Sequence, residues 1–325
     1  MLYQLPEKYY LKSFNENNFV SSKANNSFSI IWSNNTMNIF LLIITISIAA
    51  LVLIFNNVLT KNRKFFLYFR ICFLTWILVW LGWVIGGQLS VIHLINFFEI
   101  IVSSNNNFST FLAEPIILLV GIATVISFFI WGRALFCGWL CPFGALQELF
   151  SILSKKIGIR QISLPNYLDK NIRYLKYFLL AIIIIGTILE FNLTKYLYNI
   201  EPFKTAITLR FMAPINIVIW ALFLLVINLF IERAYCRYIC PLGAGLAVLG
   251  KVRIMNFLKR RQECGNPCKA CNKVCPTGAI LNSGKINMNE CLGCLDCQVM
   301  YNDYIKCPPL CLLYTSDAAD DKQCG

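Results

Sequence analysis

Eight of the fifteen cysteines lie between residues 264 and 307 and have the spacing of iron–sulfur ligands. They form the groups C-x3-C-x2-C-x3-C and C-x2-C-x2-C-x9-C, and a proline follows the last cysteine of each group. Three closely spaced thiolates let one loop wrap around a cubane, and in two-cluster ferredoxins the cysteine before proline binds the other cluster. We therefore predict two [4Fe–4S] clusters, the first held by Cys264, Cys268, Cys271 and Cys307 and the second by Cys291, Cys294, Cys297 and Cys275.

Two other uses of clustered cysteines fit these groups less well. Disulfide bonds are disfavoured because the charge pattern described below places this segment in the reducing cytoplasm. Structural zinc also uses C-x2-C pairs, but each zinc ion needs four ligands of its own. Two interleaved triplets, each completed by a cysteine before proline, are more specific to iron–sulfur clusters.

A second cysteine motif, C-x3-C-P, occurs twice, and each copy follows an Arg-Ala pair. The first copy, GRALFCGWLCPFG, contains Cys137 and Cys141, and the second, ERAYCRYICPLG, contains Cys236 and Cys240. Cysteines four residues apart share one helix face, and a proline after the second suits the start of a new helix. As halves of an internal repeat, the two copies would bring four thiols into one additional redox or metal site. A further iron–sulfur cluster, bound copper or zinc, a redox-active dithiol and simple packing of a helix end all remain open.

Few other residues are suited to chemistry. Cys72 stands alone in an apolar stretch and is predicted to pack there. His93 is the single histidine and is predicted to be structural or interfacial, since a haem-bundle carrier needs paired axial ligands. No acid–base pair or nucleophile motif is visible, so we expect an electron-transfer component rather than a catalyst acting on a small substrate.

The composition places most of the chain in lipid. The chain is 58% hydrophobic and 14% charged, whereas soluble domains carry about 25% charged residues. We predict an all-α polytopic membrane protein with about five transmembrane helices, because five apolar stretches approach the roughly 20 residues that cross a hydrocarbon core. These stretches are residues 38–55, 72–87, 115–131, 175–191 and 214–231.

The basic residues predict the orientation in the membrane. The net charge is +13, and Lys and Arg are concentrated in the loops that follow the first, third and fifth apolar stretches. By the positive-inside rule, the N-terminus lies outside and the cysteine-rich segment is cytoplasmic. Because the membrane accounts for the positive charge, nucleic-acid binding is not expected.

The chain divides into four predicted segments. A periplasmic N-terminal segment (1–36) precedes a transmembrane core (37–261), in which Leu146, Leu149 and Leu153 predict an amphipathic helix on the membrane surface. Residues 262–310 are predicted to form a small α+β two-[4Fe–4S] ferredoxin-like domain, with a short hairpin at GKIN (284–287). Residues 311–325 are predicted to be an artefact, because CLLYTSDAADD resembles a translated sequencing adapter; a short polar tail is the alternative.

At these motifs the chain resembles the NosR family, membrane proteins needed for nitrous oxide reduction. The resemblance runs from about residue 81 to residue 310 and rests on both cysteine motifs together with four further stretches. A ferredoxin motif alone is shared by many proteins, whereas this combination is much narrower. The further stretches are LGW (81–83), QLSV (88–91), EPFKTAI (201–207) and CLDCQVMYNDYIKCPPL (294–310).

The resemblance implies a role in denitrification. Electrons from a quinol pool or a cytoplasmic donor would pass toward the periplasmic copper enzyme nitrous oxide reductase, or toward a carrier linked to it. The family usually carries a flavin-binding domain ahead of the first span, and residues 1–36 leave no room for one. We therefore expect a fragment, in which FMN belongs only to the missing domain.

Three alternatives stay open at this point. One is a quinol-linked ferredoxin subunit like NapH of nitrate reduction, and another is a copper reductase for metalloenzyme assembly of the CcoG type. The third is a membrane sensor that uses its clusters to read the redox state.

Overall fold

The computed structural model describes residues 31–90, 93, 114–162, 164–188, 201–265 and 268–309. Most of the predicted N-terminal segment and all of the predicted artefact at 311–325 lie outside the described residues. What was inferred for those parts of the chain stays a prediction.

The described residues are mostly helical. Three π-helical segments, Ile77–Val84, Phe136–Leu140 and Lys204–Thr208, interrupt or extend the α-helices. The α-helices are α1 (Thr36–Ile54), α2 (Asn56–Leu59), α3 (Arg63–Trp76), α4 (Pro115–Trp131), α5 (Pro142–Ile157), α6 (Asn166–Ile188), α7 (Ile215–Phe230), α8 (Ala234–Tyr238), α9 (Pro241–Leu249), α10 (Ala270–Lys273) and α11 (Asp296–Asn302).

Within the described ranges, two helices are long and apolar enough to cross a membrane. They are α1 and the continuous helix Arg63–Val84, which joins α3 to its π-helical extension. The helices α4, α7 and the stretch Pro241–Val252 are apolar but shorter. The described part of each predicted apolar stretch therefore lies mainly on a helix, while the number that crosses a bilayer stays a prediction.

Both C-x3-C-P motifs end in the same helix start. Cys141 and Cys240 are the N-cap residues of α5 and α9, and the following prolines occupy the first helical turn. This position suits proline, because its missing N–H would have no partner within the helix. The predicted helix start after the second cysteine of each motif is confirmed.

The buried core surrounds these two helix starts. Trp139, which is fully buried, packs edge-on against Phe66 and Phe73 of α3. On the other side Phe143, Phe203 and Tyr235 pack against one another in edge-to-face pairs. Aromatic side chains therefore enclose the cysteine motifs and fix the backbone around them.

The residues 262–265 and 268–309, called the ferredoxin segment below, are held against the helical core. They contain the short helices α10 and α11 and an antiparallel bridge between Ile280 and Ile286. The hairpin predicted at 284–287 is thus reduced to one bridge, and the described part of the segment contains no strand. Asn302 donates a hydrogen bond of 2.7 Å to Thr60, just after α2, which ties α11 to the core.

Candidate iron–sulfur sites

One cavity, called the second cavity, is lined by the four cysteines predicted to hold the second cluster. Cys291, Cys294 and Cys297 come from one loop, and Cys275 joins them from the other group. Leu258, Ile280, Leu292 and Leu295 are among the residues that complete the lining, so the thiols share an apolar enclosure. The structure therefore brings together the cysteine before proline and the distant triplet.

Backbone and side-chain N–H groups point at these sulfurs. Ala279 N donates to Cys275 Sγ at 3.3 Å, and Gly293 N donates to Cys291 Sγ at 3.4 Å. Burial raises the pKa of Cys291 to about 11, and the Gly293 N–H opposes that shift. A buried thiol of this kind becomes a thiolate when a bound cation replaces its proton, so the donor set fits an iron–sulfur cluster.

Another cavity, called the first cavity, is lined by Cys264, Cys268 and Cys271. Cys307, the predicted fourth ligand of this cluster, is not among the lining residues, but it is buried nearby. Burial raises the pKa of Cys271, and the charges of Cys264 and Cys307 add to the effect. Arg261 donates to Cys307 Sγ at 3.1 Å, so a cation accompanies the fourth thiol.

The two C-x3-C-P motifs meet around one cavity, called the shared cavity. Cys137, Cys141, Cys236 and Cys240 all line it. The two copies make equivalent contacts: Gly144 N donates to Cys141 Sγ at 3.4 Å, and Gly243 N donates to Cys240 Sγ at 3.2 Å. The predicted meeting of the two halves is therefore present in the structure.

A single metal ion and a cubane cluster require different spacings of their thiolate ligands. Among the described His, Cys, Asp and Glu side chains, no three lie close enough to share a single metal ion. The four thiolates of a cubane each bind a different iron, so they stand further apart than four ligands of one zinc or copper ion.

Leu292 lies between the second cavity and the shared cavity and lines both. The carbonyl of the next residue, Gly293, accepts a 3.0 Å hydrogen bond from the Trp139 indole of the first motif. At Gly138 the contact is so close that an added Cβ would stand 2.0 Å from the Leu292 carbonyl oxygen. The first motif is therefore in direct contact with the cysteine loop of the ferredoxin segment.

Replacing Gly138 with alanine is expected to destabilise the protein by about 1–3 kcal/mol, as overpacking of a well-packed site does. The new methyl group meets backbone, so a side-chain rotation cannot relieve the clash. Thermal unfolding in detergent, followed together with iron release, measures the effect. Gly121→Ala on α4 is the matched control, because nothing lies within 4 Å of its added Cβ; equal loss in both variants would contradict this contact.

Two buried ion-pair groups flank the shared cavity. Glu148 of α5 pairs with Arg70 and Arg233, and Glu290 of the ferredoxin segment pairs with Arg133 and with Lys176 of α6. Burial alone would raise the pKa of Glu290, but the two cations outweigh it and lower that pKa. The sequence motifs did not identify Glu148 and Glu290, because no local spacing of residues marks them. The repeated Arg-Ala pairs did mark Arg133 and Arg233.

A third polar group joins α6, α8 and the ferredoxin segment. Asp169 forms ion pairs with Arg173 and Arg237 and accepts a hydrogen bond from the Tyr238 hydroxyl. The same arginines donate to backbone carbonyls of the ferredoxin segment, Arg173 to Gly278 at 3.2 Å and Arg237 to Pro276 at 3.1 Å. The turn after the first cysteine group is thus fixed to the helical core.

Neither Cys72 nor His93 is among the residues that line the three cavities. Cys72 is exposed on the outer face of α3, so its predicted packing inside the protein is wrong. The apolar stretch around it is a helix, and only one face of that helix meets other helices. His93 accepts a 3.1 Å hydrogen bond from the backbone N–H of Ser90, which suits the predicted structural role.

The cysteine-lined cavities and the helical core define an iron–sulfur protein, and comparison with known sequences agrees. A protein-family model described as a 4Fe-4S binding domain matches residues 112–160 and 213–263, which contain the two C-x3-C-P motifs. The NosR model matches residues 262–317. The chain belongs to the NosR family.

Three relatives illustrate this membership. Regulatory protein NosR of Stutzerimonas stutzeri is 40% identical over 280 residues, which are 86% of this chain and 38% of the relative. Protein NirI of Paracoccus denitrificans is 42% identical over 279 residues, 86% of this chain and 41% of the relative. A shorter Regulatory protein NosR of Pseudomonas aeruginosa is 60% identical over 75 residues, 23% of this chain and 75% of that sequence.

The chain spans about two fifths of the length of the first two relatives. No solved structure matches it.

Proposed function

We propose that this chain is a membrane-embedded electron relay with two [4Fe–4S] clusters in its ferredoxin segment, and that it supports periplasmic nitrous oxide reductase in denitrification. The observation that carries the proposal is the second cavity, where Cys275 joins Cys291, Cys294 and Cys297 across the two cysteine groups. When bound, each cluster supplies one-electron redox chemistry, with no bond made or broken in a substrate.

The residues around the cavities suit that chemistry. Apolar side chains such as Leu258 and Leu295 exclude water from the second cavity, and N–H groups of Ala279 and Gly293 hydrogen-bond to its sulfurs. Hydrogen bonds to the sulfurs and solvent exposure are among the means by which a protein sets a cluster potential. The role of this chain is to hold, shield and tune the redox centres.

The helical core supports a membrane location. The outer face of α1 carries large uncovered apolar side chains, including Phe40 (59% exposed) and Leu51 (50% exposed), which lipid would cover. We propose five spans, a periplasmic N-terminus and a ferredoxin domain of α+β type on the cytoplasmic side of the inner membrane. Electrons would come from a quinol pool or a cytoplasmic donor and leave toward nitrous oxide reductase or a linked carrier.

Substitution of one ligand in each proposed site tests the ferredoxin clusters. In the full chain purified anaerobically, Cys271→Ser and Cys297→Ser are each expected to remove about four irons and four sulfides, and the double variant about eight. Exposed Cys72→Ser is the control and should lose none. Iron and sulfide analysis, with low-temperature EPR of the dithionite-reduced protein, measures the loss. Zinc in place of iron would contradict the assignment of two [4Fe–4S] clusters.

The physiological role is tested in cells that carry Cys297→Ser at the native locus. We expect them to stop consuming nitrous oxide while they still consume nitrate and nitrite. Loss of nitrate consumption instead would assign the chain to a NapH-like role. Because the name of the NosR relatives describes a regulatory protein, unchanged nitrous oxide consumption with altered transcription would indicate a sensor and would contradict the relay.

A further inference from the structure

We propose that the rim of the first cavity is a docking surface for a small acidic electron-carrier protein, which delivers single electrons to the ferredoxin segment. The rim consists of the exposed side chains of Lys269, Lys273, Leu281 and Lys285 around the partly exposed Cys264 and Cys268. The inference rests on the proposed electron relay for its redox role, and it names the class of donor, which the relay leaves open between a quinol and a cytoplasmic donor.

Positive charge is concentrated at this rim. Residues 259–285 contain a single acidic side chain, Glu263, and six basic ones, which are Lys259, Arg260, Arg261, Lys269, Lys273 and Lys285. Lys269 lines the first cavity and Lys273 ends helix α10. The three rim lysines are exposed, and within the described ranges none of them forms an ion pair with a carboxylate. Their charges are therefore available to a partner.

The two arginines of this stretch are used differently. Arg260 lines the first cavity and donates to the Gly284 carbonyl at 3.0 Å. Arg261 donates to the Tyr301 carbonyl at 3.0 Å and to Cys307 Sγ at 3.1 Å. Contacts within the protein thus hold the arginines beside the thiols, whereas the rim lysines face solvent.

The rim is a preformed surface. At Gly284 the backbones are so close that an added Cβ would stand 1.7 Å from the Cys264 carbonyl oxygen. Asn272 of α10 donates to the Asn282 side chain at 3.3 Å. The part of the chain that carries Lys269 and Lys273 is therefore fixed against the turn that carries Lys285. A surface that is already ordered loses little conformational entropy when a partner binds.

The first cavity is also the accessible redox site of the ferredoxin segment. Its Cys264 and Cys268 are partly exposed, whereas Cys291 and Cys294 of the second cavity are buried. Electron tunnelling slows steeply with distance, so a protein partner exchanges electrons best at the site nearest the surface. Leu281, which lines the first cavity and is 50% exposed, provides an apolar contact within the basic rim. A small apolar contact surrounded by charge suits the weak, transient encounters of electron-transfer proteins.

The charge of the rim selects between the two kinds of donor. A quinol is uncharged and dissolves in the lipid, so it gains nothing from exposed lysines. A carrier protein with an acidic face is attracted to them and is oriented by the field, which raises the rate of productive encounters. In the exchange the carrier is oxidised by one electron and the cluster of the first cavity is reduced by one, with no proton or bond transferred.

Stopped-flow reduction of the full chain, purified anaerobically in detergent, tests this surface. The probe is a prereduced, small acidic [2Fe–2S] ferredoxin. Its second-order rate constant with the wild type is expected to fall steeply with added salt, because the Debye length shortens from about 10 Å at 0.1 M to about 3 Å at 1 M. In the double variant Lys273→Glu/Lys285→Glu, the rate constant at low salt should be lower by about tenfold or more.

Lys156→Glu/Lys251→Glu is the matched control, because it reverses two exposed lysines that do not line the first cavity. It should keep the wild-type rate constant. Reduced methyl viologen, a small cation, should reduce both double variants at least as fast as the wild type, which shows that their clusters are intact. Equal rate constants for ferredoxin in the two double variants, or a wild-type rate that does not depend on salt, would overturn the docking surface.

Hydrogen–deuterium exchange in nanodiscs separates the carrier from an anionic membrane surface, which the same lysines would attract. In phosphatidylcholine nanodiscs, added oxidised ferredoxin should slow exchange at residues 268–285. If phosphatidylglycerol alone slows exchange there and ferredoxin adds nothing, the rim belongs to the lipid surface and the proposal is wrong. A chain that holds its iron but does not bind the carrier refutes this docking surface alone, whereas a chain without iron refutes the electron relay.

Discussion

Replacing Glu148 with alanine is expected to lower the free energy of unfolding by about 3–5 kcal/mol, the usual cost of removing one partner from a buried ion pair. Glu148 accepts from Arg70 at 2.9 Å and also pairs with Arg233, and all three side chains are largely buried. Burial alone would raise the pKa of Glu148, but the two arginines lower it to about 2, so the carboxylate is ionised at neutral pH. The substitution leaves two buried guanidinium groups without their counterion.

A second glutamate in the same region provides the matched control. Glu232 pairs with Lys155 at 2.6 Å, but the lysine side chain is 50% exposed. Exposed pairs of this kind contribute about 0–1 kcal/mol, so Glu232→Ala should be nearly neutral. Thermal unfolding in detergent compares the two variants, and equal destabilisation would contradict the importance of the buried triad.

Replacing Glu290 with alanine is expected to be as costly, about 3–5 kcal/mol, and to loosen the ferredoxin segment in particular. Glu290 precedes Cys291 and meets Arg133 at 3.3 Å, Lys176 at 2.5 Å and the Tyr177 hydroxyl at 2.8 Å. Its loss leaves two buried cations and removes both the ion pair between the segment and helix α6 and the ion pair with Arg133. The iron of the second cavity should therefore be released earlier on heating.

Limited proteolysis measures this loosening directly. In Glu290→Ala, cleavage near residue 262 should release the cysteine-rich segment faster than in the wild type. Glu263→Ala removes the same charge from an exposed position in the same segment, and its cleavage rate should match the wild type. A slow, wild-type rate in Glu290→Ala would show that other contacts suffice to hold the segment.

The grouping of cysteines around the cavities could be predicted from the sequence because cysteine spacing is local information; their role as cluster ligands stays a prediction. Cys291, Cys294 and Cys297 must lie near one another whatever the rest of the chain does, and the proline after Cys275 identified the residue that joins them. The duplicated motif likewise predicted that Cys137 and Cys240 meet, because halves of a repeat pack against each other.

The polar contacts around the sites could not be predicted from the sequence, because they join residues far apart along the chain. Glu148 is ordinary for a helix, and only the fold shows that it lies between two arginines. The leucines after Cys141 predicted a helix on the membrane surface, and α5 is indeed a helix. Its polar residues Gln147 and Ser151, however, are fully buried against protein, where Ser151 donates to the carbonyl of Asn228 on α7 at 3.3 Å. Helical periodicity identifies two faces but not which of them meets protein.

The direct contact of Gly138 with Leu292 has a consequence for how partners reach the protein. A carrier domain that travels between donor and acceptor needs a hinge and a weak interface. Here Gly138 and Trp139 hold the cysteine loop directly against the first motif, which is unlike the weak interface of a swinging arm. Cys264 and Cys268 are partly exposed, whereas Cys291 and Cys294 are buried, so the rim of the first cavity is the more accessible approach to the cysteine groups.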